Sequence, residues 1–292
     1  MRRSGVALAA LGLIALVWGY NWVVMKRAVA EVDPFDFLAW RFMLAAACLF
    51  ALLRVQRRPV GLAHAGQVIA IGLILTGVTF VLMTWALVAG AAGKVAVLSF
   101  SMPFFVTLLA WPVLGERPRG AHWLAIGIGF IGFVLLNNPQ VRMRLPELLA
   151  LGSGLTWAVG IVLTKRLQLR HRVDPLALNA WQLLIGGLAM VVLALQFSSR
   201  PWVWSPYVVF AVLFNAIIVS ALSWFLWFWV LGRLESGIAS LSTLAVPAVA
   251  VLAGMLELGE RPSALEWSGI VLVTLALAII SSLTTKIDSP PT

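Results

Sequence analysis

The chain has 292 residues, of which 62% are hydrophobic and only 11% charged, and its mean hydropathy is +1.00. Soluble domains carry about 25% charged residues, so an ordinary water-soluble fold is excluded. The net charge of +10 is scattered between apolar runs and lacks the dense basic stripe of a nucleic-acid surface; it fits loops that face lipid headgroups, and no nucleic-acid partner is expected.

A helix needs about 20 apolar residues to cross the hydrocarbon core of a bilayer. Ten runs meet this requirement: 5–25, 34–53, 66–89, 93–114 and 121–137, then 146–164, 175–197, 204–231, 237–257 and 265–283. Met1-Arg2-Arg3, the first run and Ala28-Val29-Ala30 imitate a cleavable signal peptide. Lys26 and Arg27 interrupt that pattern, however, and an echo of the run lies inside the chain, so it is expected to stay as the first span. Connections are short, and no soluble domain is expected to hang from the bundle.

The second five runs repeat the first. Residues 99–118 end in Gly-Glu-Arg-Pro and carry Pro103; 144 positions later, residues 243–262 carry Pro247 and the same ending. Trp18 with Lys26-Arg27 returns as Trp157 with Lys165-Arg166, Asp33-Pro34 as Asp174-Pro175, and Gly93 as Gly237. The expected architecture is an all-α membrane protein of two five-helix repeats, 1–140 and 141–285, followed by a cytoplasmic tail, 286–292. Five is odd, so the second unit enters the bilayer from the opposite side, and inverted repeats of this kind place a site near the midplane between them. With the amino terminus inside, thirteen basic residues fall on the inner side and seven on the outer. Both termini are therefore expected in the cytoplasm, with the chain in a bacterial inner membrane.

Gly127, Gly129 and Gly132 match the spacing of a dinucleotide fingerprint, but no strand precedes them and they lie inside a span; small residues for close helix contact are the better reading. His64, His122 and His171 are far apart, Cys48 is single and sits in an apolar run, and no nucleophile, base and orienter set is evident. Neither metal, cofactor nor enzyme activity is expected.

The third run spaces Thr76, Thr79, Phe80 and Met83 at i, i+3, i+4 and i+7, and the eighth answers with Ser220, Ser223, Trp224 and Trp227. On α-helices each set would share one face. Ser99 and Phe100 face Thr243 in the second copy, and the first run carries Trp18, Asn21 and Trp22 on one face against Trp157 in the sixth. Helix packing and cavity lining are both open for any one of these residues. Jointly, hydroxyls, an amide and aromatic faces suit a small zwitterion or planar metabolite. All eleven acidic residues lie at run ends or in loops, so a proton or sodium relay through an intramembrane carboxylate is not expected. Arg41 is drawn inward and is expected to snorkel or to pair with Asp36; Lys94, beside Gly93, could attract an anionic group. Glu116 and Glu260 could pair with Arg117 and Arg261 or with other loops to latch each end, and a turn with a solvated ion pair is the better reading.

The paired Gly-Glu-Arg-Pro turns, the broken helices with Pro103 and Pro247, the Trp18 and Trp157 runs and the ten-span count together resemble the drug/metabolite transporter superfamily, each half being similar to one EamA-type domain. The resemblance covers nearly the whole chain. It implies a basket of ten helices around a central cavity, lined mainly by segments 1, 3, 4, 6, 8 and 9. It also implies export of amino acids, aromatic or broad in range, as in exporters of the YddG type. Small multidrug relatives carry a glutamate in their first helix, which this chain lacks. Sugar-phosphate translocators use basic cavity residues, for which only Lys94 could serve. The expected mechanism is alternating access, with Gly93, Pro103, Gly237 and Pro247 as hinges and the protein working as a monomer. Proton-coupled export of drugs or other metabolites and a channel-like facilitator are the alternatives.

Overall fold

The computed structural model describes residues 2–118, 120–136, 144–223, 226, 230 and 245–287. The first half holds α1 (Arg2–Glu31), α2 (Pro34–Val55), α3 (Ala65–Ile71), α4 (Thr79–Ala89), α5 (Ala92–Ser99), α6 (Met102–Leu114) and α7 (Gly120–Leu136). The second holds α8 (Leu145–Arg170), α9 (Pro175–Phe197), α10 (Pro206–Leu213), α11 (Ala245–Leu258) and α12 (Ala264–Ile287). Two π-helical segments, Gly72–Val78 and Phe214–Leu222, join α3 to α4 and continue α10. Helical structure thus stands in each of the ten apolar runs, and six helical spans of the described residues are long and apolar enough to cross a membrane, two of them, Ala65–Ala89 and Ala92–Leu114, built from consecutive helical segments.

The starts of α2 and α9 show how the repeated Asp-Pro works. Proline at the first helical position gives up an N–H that would be unpaired anyway, and the preceding aspartate accepts the next free ones. Phe35 N–H donates to Asp33 at 3.0 Å; Leu176 and Ala177 donate to Asp174 at 2.8 and 3.2 Å. At the other end of the pattern, Gly115 and Gly259 take φ of 77° and 67°. This is the left-handed conformation that ends a helix at low cost only for glycine, and Pro118 and Pro262 follow to prevent its resumption.

Helices pair across the two halves. α2 lies against α9, α7 against α12, α1 against α11, and α8 against α6 and the third run. Lipid supplies no hydrophobic drive between helices, so association relies on close approach at small residues. At the α7–α12 crossing, a Cβ on Gly269 would lie 2.6 Å from the carbonyl oxygen of Gly132, and one on Gly132 would lie 2.8 Å from a methyl of Val273. Shifting both glycine positions by one repeat gives Ala276 and Ala125, which are also fully buried. Of the three glycines in the fingerprint-like motif, Gly132 meets α12 and Gly129 meets the ring of Phe104, while Gly127 has open space around it.

Candidate substrate site and the latches around it

The third run does not behave as one continuous α-helix. Across Gly72–Val78 the backbone bonds run i→i+5, taking in one more residue per turn. Thr79 closes the segment by donating its hydroxyl to Ile74 C=O at 2.9 Å, and one repeat later Ser223 donates to Ile218 C=O at 2.7 Å. The added residue rotates the helix face, so the expected single stripe fans out over three neighbours. Thr76 abuts Gly186 of α9, where an added Cβ would stand 2.5 Å from it. Thr79 meets Thr156 of α8 at 2.9 Å, and Phe80 meets Phe42 of α2 edge-on, with ring centroids 4.9 Å apart. Met83 and Ser220 are buried.

The aromatic candidates do converge. Trp22 of α1, Phe100 at the break between α5 and α6, and Trp157 of α8 form a chain with centroid distances of 6.5 and 5.9 Å. Trp18 turns its indole N–H toward Val219 C=O of the second π-helical segment at 3.3 Å. The break itself falls at Phe100–Ser101, and Pro103 occupies the first turn of α6, where its missing N–H costs nothing. Pro247 is buried in the first described turn of α11. Gly93 lets α11 come close, since a Cβ there would lie 2.8 Å from Val251 Cα. Trp224, Trp227, Gly237 and Thr243 lie outside the described residues.

Several hydroxyls are engaged within the protein. Ser153 donates its hydroxyl to Ala150 C=O at 2.6 Å, and the hydroxyls of Ser99 and Ser153 lie 2.9 Å apart; Thr79 and Ser223 are held as described. Asn21 differs: it is 4% exposed and its amide oxygen has no hydrogen-bond partner. Asn215, in the second π-helical segment, is fully buried with its own amide oxygen unpartnered. Asn215, Ser153 and Thr156 escaped the sequence reading, although an amide in an apolar run was a usable signal for the first.

Arg41 departs furthest from expectation. It neither snorkels nor pairs with Asp36: it is 4% exposed, with its guanidinium carbon 5.0 Å from the Phe42 ring centroid and 4.8 Å from that of Phe80. One terminal nitrogen donates to the Met25 thioether at 3.0 Å. Lying between α1, α2 and α4, the side chain is covered before it can reach the headgroups. Lys94 is already neutralised, by Glu147 at 3.2 Å and Glu266 at 3.4 Å, which removes it as a free anion attractor.

Among the described residues neither glutamate of the repeated turns pairs with Arg117 or Arg261; each reaches a more distant partner. Glu260 accepts the N–H groups of Ala92 and Gly93, capping α5 from the other half. Lys26 holds the same corner by donating to Gly90 C=O at 2.6 Å and Leu87 C=O at 3.0 Å. Glu116 pairs at 2.7 Å with Lys165, the repeat mate of Lys26, and Arg58 pairs with Asp174 at 2.7 Å. Replacing Glu260 by alanine uncaps α5 and should cost about 1–2 kcal/mol, read as a lower melting temperature in detergent. Glu116→Ala, which removes an exposed pair, should change stability by less than about 1 kcal/mol. A groove of about 350 Å³, lined by Trp40, Met43, Trp204 and Val209 among others, is apolar. Trp40 and Trp204 are about half exposed, which places it on the lipid-facing surface.

The sequence profile of the EamA-like transporter family matches this chain twice, over residues 4–138 and 144–282. The uncharacterized transporter YoaV of Bacillus subtilis (strain 168) is 30% identical over 86% of this chain and 89% of its own length. A probable amino-acid metabolite efflux pump of Escherichia coli (strain K12) is 26% identical over 95% and 94%, and Protein PecM of Dickeya dadantii (strain 3937) is 28% identical over 91% and 89%. A crystal structure sharing 19% identity superposes with a TM-score of 0.68 over 98% of this chain and 99% of the other, so the fold is shared. With a profile that accounts for nearly every residue in two passes, and relatives that are named as transporters and align from end to end, the chain is an integral membrane transporter belonging to the EamA-like transporter family.

Proposed function

We propose that the protein exports amino acids, aromatic or broad in range, by alternating access between two inverted five-helix units, residues 1–140 and 141–285, with both termini cytoplasmic in a bacterial inner membrane. The observation that carries this reading is the convergence of Trp22, Phe100 and Trp157 from three helices beside the buried amide of Asn21. Flat apolar faces with a few polar groups suit a small amphipathic metabolite. Cross-half pairing of α2 with α9 and α7 with α12 supports the inverted arrangement, because a twofold axis would bring equivalent helices together at such crossings. The amino-acid reading is further supported by the name of the Escherichia coli relative.

In this scheme the units rock about the breaks near Pro103 and Pro247 and the helix starts at Gly93 and Gly237, while cargo contacts Trp18, Trp22, Trp157, Trp224 and Trp227. The Glu260 and Lys26 corner holds one end and the Glu116–Lys165 pair the other; both sets are formed in this structure, and opening at either end breaks the set there. The monomer suffices for this cycle. With the carboxylates of the described residues at helix ends or in loops, cargo follows its own gradient. Counterflow of labelled phenylalanine, leucine and threonine in proteoliposomes is expected to proceed at equal rates with and without an imposed pH gradient. Uphill uptake driven by that gradient would instead identify a proton-coupled exporter, and single-channel currents would identify a facilitator.

A further inference from the structure

Arg41 is a cation almost wholly removed from water inside a membrane protein, and among the described residues no carboxylate pairs with it. Its surroundings are two phenyl rings and a thioether, and its Nε has no hydrogen-bond partner. A buried charge without a counterion is costly, and removing such a residue in favour of an apolar one commonly stabilises a protein. Ionisable residues held at membrane depth mark substrate or ion pathways by default. Arg41 lies seven residues beyond Pro34, the first residue of α2, or about 10 Å along the helix at 1.5 Å per residue, inside an apolar span rather than at its end.

Its position relative to the candidate site is specific. Met25, which touches the guanidinium, follows Asn21 by four residues and so shares its face of α1. Phe80, on the other side, belongs to the turn that leaves the first π-helical segment. The second half carries no matching cation: the repeat mate of Arg41 is Gln182, which is bound to Asn179 at 2.8 Å. The cluster is thus one-sided, with a single positive charge, an unpartnered Nε–H donor, and the unpartnered amide oxygen of Asn21 one turn before Met25 on α1.

We propose that Arg41 is the carboxylate-binding residue of the cargo site, so that the protein selects monocarboxylates and rejects the corresponding decarboxylated amines. One guanidinium among apolar groups neutralises one negative charge; a phosphate dianion would demand a second cation and more donors than the site holds. The fork geometry of arginine also fixes the carboxylate in orientation, leaving the cargo's side chain directed to the aromatic chain and its ammonium group to Asn21. This deepens the amino-acid reading above and rests on it for the cargo's other contacts.

The test uses the full-length protein, in detergent for thermal shift and in proteoliposomes for phenylalanine counterflow. The competitors are 3-phenylpropionate, 2-phenylethylamine and phenyl phosphate. For the wild type, 3-phenylpropionate is expected to compete and to raise the melting temperature, while the amine and the phosphate do neither. Arg41→Met, which preserves bulk and removes a lone charge, should stay folded yet raise the phenylalanine KM by about 100-fold or more; Arg41→Lys should recover part of that loss. Competition by the amine as strong as by 3-phenylpropionate, or an Arg41→Met protein with unchanged KM and carboxylate preference, overturns the proposal. So does protection of the wild type by none of the carboxylates, a measurement that does not depend on the variant folding. If phenylalanine is not moved but 3-phenylpropionate stabilises the wild type and not Arg41→Met, the carboxylate site stands and the amino-acid reading falls. If phenylalanine is moved equally by wild type and Arg41→Met, the reverse holds.

Discussion

Leucine in place of Gly132 is expected to separate α7 from α12 and to abolish monodisperse protein in mild detergent, whereas leucine in place of Gly127, five residues earlier in the same helix, should leave the elution profile and melting temperature unchanged. The contrast follows from what each new side chain meets. At Gly132 even a first carbon would fall 2.9 Å from the backbone nitrogen of Val273 and 3.0 Å from the carbonyl oxygen of Gly269. Backbone atoms cannot rotate away as a flexible side chain can, so the helices must part along their whole crossing. Overpacking a core costs about 1–3 kcal/mol and occasionally more, and here the buried faces of Ala125, Leu136, Val273 and Ala276 would be loosened with it. At Gly127 there is nothing within 4 Å, and an added leucine meets lipid, which is as apolar as the side chain itself. Size-exclusion profiles of the two variants, run beside the wild type, check this directly.

Lys94→Met is the second large effect expected. Lys94 stands in the first turn of α5 and joins Glu147 of α8 and Glu266 of α12, with the three side chains between 15% and 26% exposed. Removing the cation leaves two carboxylates facing an empty place, each half desolvated and each repelling the other. Breaking a fully buried pair costs about 3–5 kcal/mol; partial exposure reduces this to about 2 kcal/mol. Each carboxylate keeps one backbone partner, Arg144 N–H for Glu147 and Ser263 N–H for Glu266, so the fold should survive at a lower melting temperature. Adding Glu147→Gln to Lys94→Met should recover part of the loss, because it removes the repulsion while leaving a group that can accept from Arg144. A double-mutant cycle on melting temperature provides the measurement, and additive losses would show that the three charges are not coupled.

Much of the fold was legible in the chain because each signal was local. Asp33-Pro34 and Asp174-Pro175 announce helix starts through capping that involves only neighbouring residues, and Gly115 and Gly259 announce helix ends through a backbone conformation that other residues avoid. The candidate site was legible only in part. Trp22, Phe100 and Trp157 come together, but Thr76 and Thr79 point to different partners. Their spacing was interpreted with an α-helical period, and the π-helical segment shifts that period by a residue. The hydroxyls of Thr79, Ser99 and Ser223 looked free because their acceptors, carbonyl oxygens and other hydroxyls, leave no distinctive mark in the sequence.

The sequence alone therefore settled the membrane class, the two-fold repetition of its signals and several of the places where helices begin and stop. These depend on hydropathy, periodicity and caps within a few residues of one another. Only the tertiary structure decided what the charged groups do: Glu260 crosses to the other half to cap α5, Lys94 is shared by two carboxylates from distant helices, and Arg41 is enclosed by rings from α2 and α4. The energy of a charge is set by whatever surrounds it in space, and those partners lie anywhere from one to more than 160 positions away along the chain.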